Sequence, residues 1–307
     1  MEFETDAKEA GLTLASVIRR HLPGTSWNDA RRLVERGKLF INGERERDPA
    51  RRLEPGLRIE IRRNAPVPKE EIPGEIIHET ADYVVFEKPA GVSSVPVSPR
   101  DPHNAMDLIR RHWSQAGRKP TEDPLFVVHR IDKETSGNLV FAKTKNAELE
   151  LASQFRAHAV GRTYMCIAHG VVNSDRIESR LVPNRGDGLK GSARRPGQGQ
   201  RAVTLVRPIK QYRLATLCEV RLETGKTHQI RIHLAERGHP LVGEQVYIRD
   251  FLAAGGKLLP ANRLFLHAAT LEFTDPPTGN SVRFESPLPE EFSMFMLRVL
   301  SANGNDR

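Results

Sequence analysis

Apolar positions recur along the chain in two rhythms. Between residues 12 and 63, Leu14, Val17 and Ile18 repeat at helical spacing as far as Pro23-Gly24. Ala30, Leu33 and Val34 mark a second helix, which Ser26 caps and Gly37 stops. Leu39, Phe40 and Ile41 then run into Asn42-Gly43, a hairpin-turn signal. Leu57, Ile59 and Ile61 alternate with Arg58, Glu60 and Arg62, as in a strand with one buried face. The stretch 64–75 has three prolines and no periodicity, and reads as a linker.

Beyond the linker the apolar runs are short and rich in β-branched and aromatic residues. Strands are predicted at 83–86, 125–128, 139–142, 164–168, 202–206, 216–222, 264–266 and 282–284. Helices are predicted at 105–113, 146–155, 228–237 and 291–300. Strands outnumber helices without regular alternation, which predicts an α+β domain with a mixed, largely antiparallel sheet. The expected organisation is a small α/β module at 1–63, a linker at 64–75 and a larger domain at 76–307. The stretch 184–201, rich in Gly and Arg, reads as a mobile surface loop for RNA to order.

Composition sharpens this picture. Hydrophobic residues make up 38% and charged residues 28% of the 307, so a packed core is expected rather than disorder. The net charge of +8 favours a polyanionic partner. Most of that charge lies between residues 19 and 63, where 13 basic residues face 7 acidic ones. Arg31, Arg32 and Arg36 sit away from the apolar stripe of the second helix, either as a solvated face or as a phosphate-contacting one. Cys166 and Cys218 lie in apolar segments and read as buried thiols in a reducing compartment. No run reaches the roughly 18 apolar residues of a membrane span, and residues 1–10 carry no apolar core of a secretory signal. A cytoplasmic location is expected, with no membrane partner.

Several chemistries are set aside by spacing. TGKTH at 224–228 ends like a phosphate-binding loop, but its first glycine would fall at Val220. His228 and His233 are five apart and have no Cys-x-x-Cys beside them, so no metal is expected. Ser136 lies outside a G-x-S-x-G elbow. A glycoside hydrolase needs a second, suitably placed acid, and Glu134, two residues from Asp132, gives no reason to expect one.

Two segments carry candidate chemistry. In LFVVHRIDKETSGNLVFAKT (125–144), an apolar strand ends in His129, Arg130, Ile131 and Asp132. Asp132 is thereby presented at a strand end, either as an active-site carboxylate or as a turn cap. In LETGKTHQIRIHLAERGHPLVGEQVY (222–247), Arg231 stands near a helix start between Ile230 and Ile232. It either meets a buried anion or buries only its stem.

Taken together, HRID…TSG…AK and TGKTHQIRIH strongly resemble the RluA-type pseudouridine synthase family. KPAG at 88–91, GRTYMCIAHG at 161–170, RAVTLV at 201–206 and RLFLHAATLEF at 263–273 match further family segments in order. The N-terminal module resembles the RNA-binding module named after ribosomal protein four of the small subunit. The resemblance implies an enzyme that isomerises uridines in structured RNA, ribosomal RNA ahead of transfer RNA, without cofactor or obligate protein partner. The alternative is a non-catalytic RNA-binding or ribosome-assembly protein on the same fold. By the resemblance, Asp132 is the catalytic carboxylate and Arg231 its partner. Tyr164 stacks on the target base; on its own strand pattern it reads more readily as a core aromatic. Arg130 holds the everted nucleotide, Ile230 lines the base pocket and His129 belongs to the substrate-binding set. Three positions depart from the usual pattern: Arg162 for lysine, Lys226 for arginine and Glu244 for aspartate.

Overall fold

The N-terminal elements form where caps and turns dictate. A computed structural model of the chain describes residues 1–65, 72–96, 104–118 and 124–301. Within the first unit, Met1–Glu71, the strands and helices are β1 (Glu2–Glu4), α1 (Leu14–His21), α2 (Trp27–Glu35), β2 (Leu39–Ile41), β3 (Glu44–Glu46) and β4 (Arg58–Ile61). Thr13 and Ser26 cap the helices by accepting from the amides of Ser16 and Asp29. Asn42 and Gly43 both have left-handed backbones (φ 52° and 85°), the geometry that turns β2 tightly into β3. The sheet order is β1-β4-β2-β3. One cluster, including Leu14, Ile18, Val34, Leu39 and Ile59, fills the space between the sheet and both helices. Each such side chain contributes roughly 1.5–3 kcal/mol when fully buried.

The second unit, Ile72–Arg307, contains β5 (Glu75–Glu79), β6 (Tyr83–Lys88), α3 (Ala105–Gln115), β7 (Phe126–Val127), β8 (Ser136–Ala142), α4 (Lys145–Arg156), β9 (Gly161–His169) and β10 (Asp175–Val182). It continues with β11 (Gly191–Ser192), β12 (Gln200–Gln211), β13 (Ala215–Leu222), α5 (Gln229–Glu236), α6 (Arg249–Ala253), β14 (Leu266–Thr274), β15 (Ser281–Glu285) and α7 (Glu290–Ser301). These strands build a single sheet in the order β11-β10-β12-β13-β9-β14-β8-β6-β5, with β15 on β14 and β7 on β8. Among the strands of the described residues only β8 and β14 run parallel, so the sheet is mixed and largely antiparallel. That pairing is short: Ser136 faces His267 and Gly137 faces Ala268. Gly137 is required there, because its φ is +106° and a Cβ would stand 2.3 Å from the Ala268 carbonyl oxygen.

The structure differs from the sequence reading in several places. The strand predicted at 264–266 starts at Leu266 and runs to Thr274, the three predicted residues being buried at its entry. The strand predicted at 125–128 is only Phe126–Val127. The segment 184–201 is pinned rather than loose: Arg185 pairs with Asp187 at 3.0 Å and Asp250 at 3.1 Å. In the same segment Ser192 donates to Glu236 at 2.6 Å, and Gly191–Ser192 pairs with β10. Of the predicted linker 64–75, residues 66–71 lie outside the described residues, and β5 begins at Glu75. Cys166 and Cys218 are buried free thiols on facing positions of β9 and β13. Among the described residues, no helix is long and apolar enough to cross a membrane.

Candidate active site

The loop between β7 and β8 bears Asp132, and its backbone is fastened from below. Ser94 Oγ donates to the Ile131 carbonyl at 2.7 Å and accepts from the Ile131 amide at 3.2 Å. Lys88, fully buried, donates to the carbonyls of Pro89, Val92 and Lys133 at 2.9, 2.7 and 3.1 Å. Burial brings the Lys88 ammonium down to about 7, against the upward pull of Glu134 and Asp132. The Gly91 amide also reaches the Lys133 carbonyl, at 2.8 Å. Asp132 is thus aimed by a loop with little freedom, as a reacting group requires.

Arg231 comes from α5, a helix buried on nearly every side. A helix so enclosed must satisfy its polar side chains internally. Gln229 donates to the Val203 carbonyl and the Thr204 hydroxyl. His233 bonds Thr204 and Ser179. Arg231 Nε and Nη2 each donate to Glu244 at 2.7 Å, a bidentate pair in which Glu244 is wholly enclosed. Burial pushes the Glu244 carboxyl up, but Arg231 and the amides of Val246 and Gln245 bring it net below its ordinary value. The remaining nitrogen, Nη1, faces Asp132 at 3.8 Å and Glu134 at 3.6 Å. The expected pairing of Arg231 with Asp132 is present as an ion pair at 3.8 Å, but it is not the closest contact of the guanidinium. Its fork is taken by Glu244, and Asp132 receives charge at a distance without a hydrogen bond.

That distance decides the electrostatics of Asp132. Burial raises its carboxyl; His228 and Arg231 pull it down, Glu134 and Glu244 push it up, and the net direction is upward. His228 Nε2 lies 4.0 Å from Asp132, and its Nδ1 is 2.8 Å from the Tyr247 hydroxyl. His228 is held with a left-handed backbone, φ 58°, at the N-terminus of α5, a conformation that costs a non-glycine residue roughly 1–3 kcal/mol.

A cleft of about 930 Å³ opens over these groups, and Asp132, Arg231, Tyr164, Arg130, Ile230 and His129 all line it. Six of the nine predicted site residues are thereby brought together. Tyr164 packs with Ile131, Ile230 and Leu266 in one apolar cluster, and burial raises its phenol above the ordinary value. Arg130 is exposed at the cleft. His129 is more anchored than a substrate-binding reading implies. Its Nε2 accepts from the Val140 amide at 3.1 Å, its ring stacks on Phe155 at 4.3 Å, and burial with Arg162 drops its pKa to about 3. Arg31 and Arg32 lie on α2 and Arg36 at its C-terminal cap, all three exposed on the first unit.

Glu244, His228, Lys88 and Ser94 were not singled out by sequence reasoning as site residues. Glu244 had a usable signal: a lone carboxylate in the largely apolar run 240–247 needs a cation, by the same logic that marked Arg231. Ser94 acts through backbone contacts to a loop 37 residues away, and no local pattern reports that.

The chain matches a family model described as RNA pseudouridylate synthase over residues 82–236, and one for the S4 domain over residues 13–59. The ribosomal large subunit pseudouridine synthase D of Zymomonas mobilis is 35% identical over 241 residues, covering 77% of this chain and 76% of that protein. An uncharacterized RNA pseudouridine synthase of Aquifex aeolicus is 30% identical over 302 residues, covering 95% of this chain and 94% of that one. Among solved structures, human RNA pseudouridylate synthase domain containing 4 aligns with a TM-score of 0.59 at 23% identity, over 73% of this chain and 92% of that chain. At that identity the likeness speaks for a shared fold.

Proposed function

The chain belongs to the RNA pseudouridylate synthase family and so isomerises uridine in RNA to pseudouridine; on that premise we propose that its substrate is large-subunit ribosomal RNA and that Asp132 is the carboxylate that drives the reaction. The reaction breaks the bond from ribose C1′ to uracil N1 and makes one from C1′ to C5. C5 loses a proton, N1 gains one, and the formula is unchanged. Such a reaction needs a carboxylate beside the ribose and a surface that keeps the freed base in place.

The observation that carries this reading is the convergence of Asp132, Arg231 and Tyr164 on one cleft. The uridine must leave its stack to enter, at a cost of a few kcal/mol. Stacking on Tyr164 returns about 1–3 kcal/mol of that. Ile230 and Ile131 supply the apolar wall, and Arg130 at the rim holds the everted nucleotide. Arg231 keeps positive charge beside Asp132 while Glu244 fixes the guanidinium. Ribosomal RNA is favoured as substrate by the relatives of that activity, whose match extends over most of the chain. The buried, unbridged thiols of Cys166 and Cys218 suit a reducing compartment, and we assign the protein to the cytoplasm.

The test is a comparison of pseudouridine maps of total RNA from cells with and without this protein. At least one uridine of large-subunit ribosomal RNA should lose its modification. Identical ribosomal maps would overturn the substrate assignment.

The first unit is assigned to RNA affinity rather than chemistry. Exchanging Arg31, Arg32 and Arg36 together for alanine should weaken RNA binding. The slope of log K against log salt should become shallower by about 2–3, at roughly 0.7–0.9 for each phosphate no longer neutralised. Filter binding across a salt series measures it, and an unchanged slope would remove these arginines from the interface.

A further inference from the structure

Arg162 is an arginine that the chain leaves without an acid. Other arginines set into the same unit have one: Arg231 holds Glu244, Arg185 holds Asp187 and Asp250, and Arg263 faces Glu291 at 3.7 Å. Among the described residues no carboxylate lies within ion-pair distance of Arg162. Its Nε is buried and has no hydrogen-bond partner. The side chain is half-buried, and a buried donor left unmet beside two terminal nitrogens still open to the cleft suits an acceptor from outside, best an anion.

Three features show where that anion would sit. Arg162 lines the same cleft as Asp132 and Tyr164. Residues 162 and 164 share one face of β9, about 6.6 Å apart along the strand. That matches the reach from a pyrimidine ring across its ribose to the adjoining phosphate. The guanidinium also lies over Phe155, 5.9 Å from its ring centre, and against Gly225. A Cβ at residue 225 would stand 2.3 Å from Arg162 Nη1, although the backbone there is not left-handed, so glycine serves space rather than conformation. Arg130 and Lys226 line the cleft as well and give it a cationic rim.

We propose that Arg162 grips the phosphodiester next to the everted uridine, fixing the ribose relative to Asp132 while the base rests on Tyr164. Arg162 is then a positioning residue that reads the RNA backbone without reading sequence. This inference rests on the functional reading above.

The test uses the full-length enzyme and a short RNA carrying the mapped uridine, prepared with one uncharged methylphosphonate at a time at each linkage around it. With wild type, one linkage beside the uridine should lower kcat/KM by about 10- to 100-fold, the range for a hydrogen bond to a charged group. Arg162→Met should lose a similar factor on unmodified RNA and lose nothing more at that linkage. Gly225→Ala keeps the positive charge but displaces the guanidinium, and should show the same insensitivity. It carries the test if Arg162→Met fails to fold. Losses that multiply independently at every linkage would overturn the proposal, as would a wild type indifferent to all of them. Wild-type failure to modify the unsubstituted RNA would instead overturn the functional reading itself.

Discussion

Asp132→Asn is expected to lower the rate of pseudouridine formation on the order of 10⁴-fold, the upper end of what a positioned acid or base contributes, while leaving RNA binding in place. The asparagine has the same shape, and the Ser94 and Lys88 hydrogen bonds that hold the loop go to backbone carbonyls and survive the exchange. The same change should stabilise the fold at neutral pH. Burial holds the Asp132 carboxyl above its ordinary value, so the folded protein binds that proton more tightly than the unfolded chain does. Stability therefore falls as pH rises from the unfolded value to the folded one, and the whole penalty is present above both. Asparagine never ionises and escapes it. The variant should melt above wild type at pH 7, and the gap should close below about pH 4, where both side chains are neutral. Single-turnover assays and melting curves across that range measure both effects. Near-wild-type turnover would remove Asp132 from the chemistry, and a variant that melts lower at pH 7 would show that burial does not penalise its charge.

Arg231→Ala is expected to fail twice. It strips Glu244 of its bidentate partner and leaves a wholly enclosed carboxylate, a loss of about 3–5 kcal/mol when one member of a buried pair is removed. It also removes the positive charge beside Asp132. The two effects separate in a double variant. Arg231→Met with Glu244→Met replaces the pair by apolar side chains of similar size and should recover most of the lost stability. Activity should stay at the level of Arg231→Ala, because Asp132 still lacks its cation. Denaturant midpoints and turnover measured on the same samples decide it. A double variant that is stable and fully active would reduce Arg231 to a structural part.

The sequence was most readable where function and local pattern coincide. Asp132 stands between two apolar strands, and Arg231 interrupts an isoleucine pair on a helix start; both positions are anomalies against their neighbours. The caps at Ser26 and the turn at Asn42-Gly43 declare themselves through side-chain and backbone chemistry confined to four residues. β10 was not predicted, because its inward face carries only two apolar residues, Ile177 and Leu181, which alternate with Arg176, Glu178, Ser179 and Arg180. β1 and β3 are three-residue strands rich in glutamate that exist only because β4 and β2 offer paired edges. The placement of Arg231 illustrates the same limit at the site. Its partner choice between Asp132 and Glu244 follows from three-dimensional distance, and a spacing of 13 residues to Glu244 carries no periodic signal.

The parallel pairing of β8 with β14 divides the groups proposed for catalysis between two stretches of chain. Asp132 precedes β8, whereas Tyr164 and Arg231 belong to β9 and α5 on the β14 side. The two sides meet through residues 136–137 and 267–268, separated by 131 positions. Closing so long a loop is among the slower events in folding. A nascent polypeptide that has not yet emerged past Ala268 lacks the strand that brings its halves into register, so the cleft can be assembled only after most of the chain has been made.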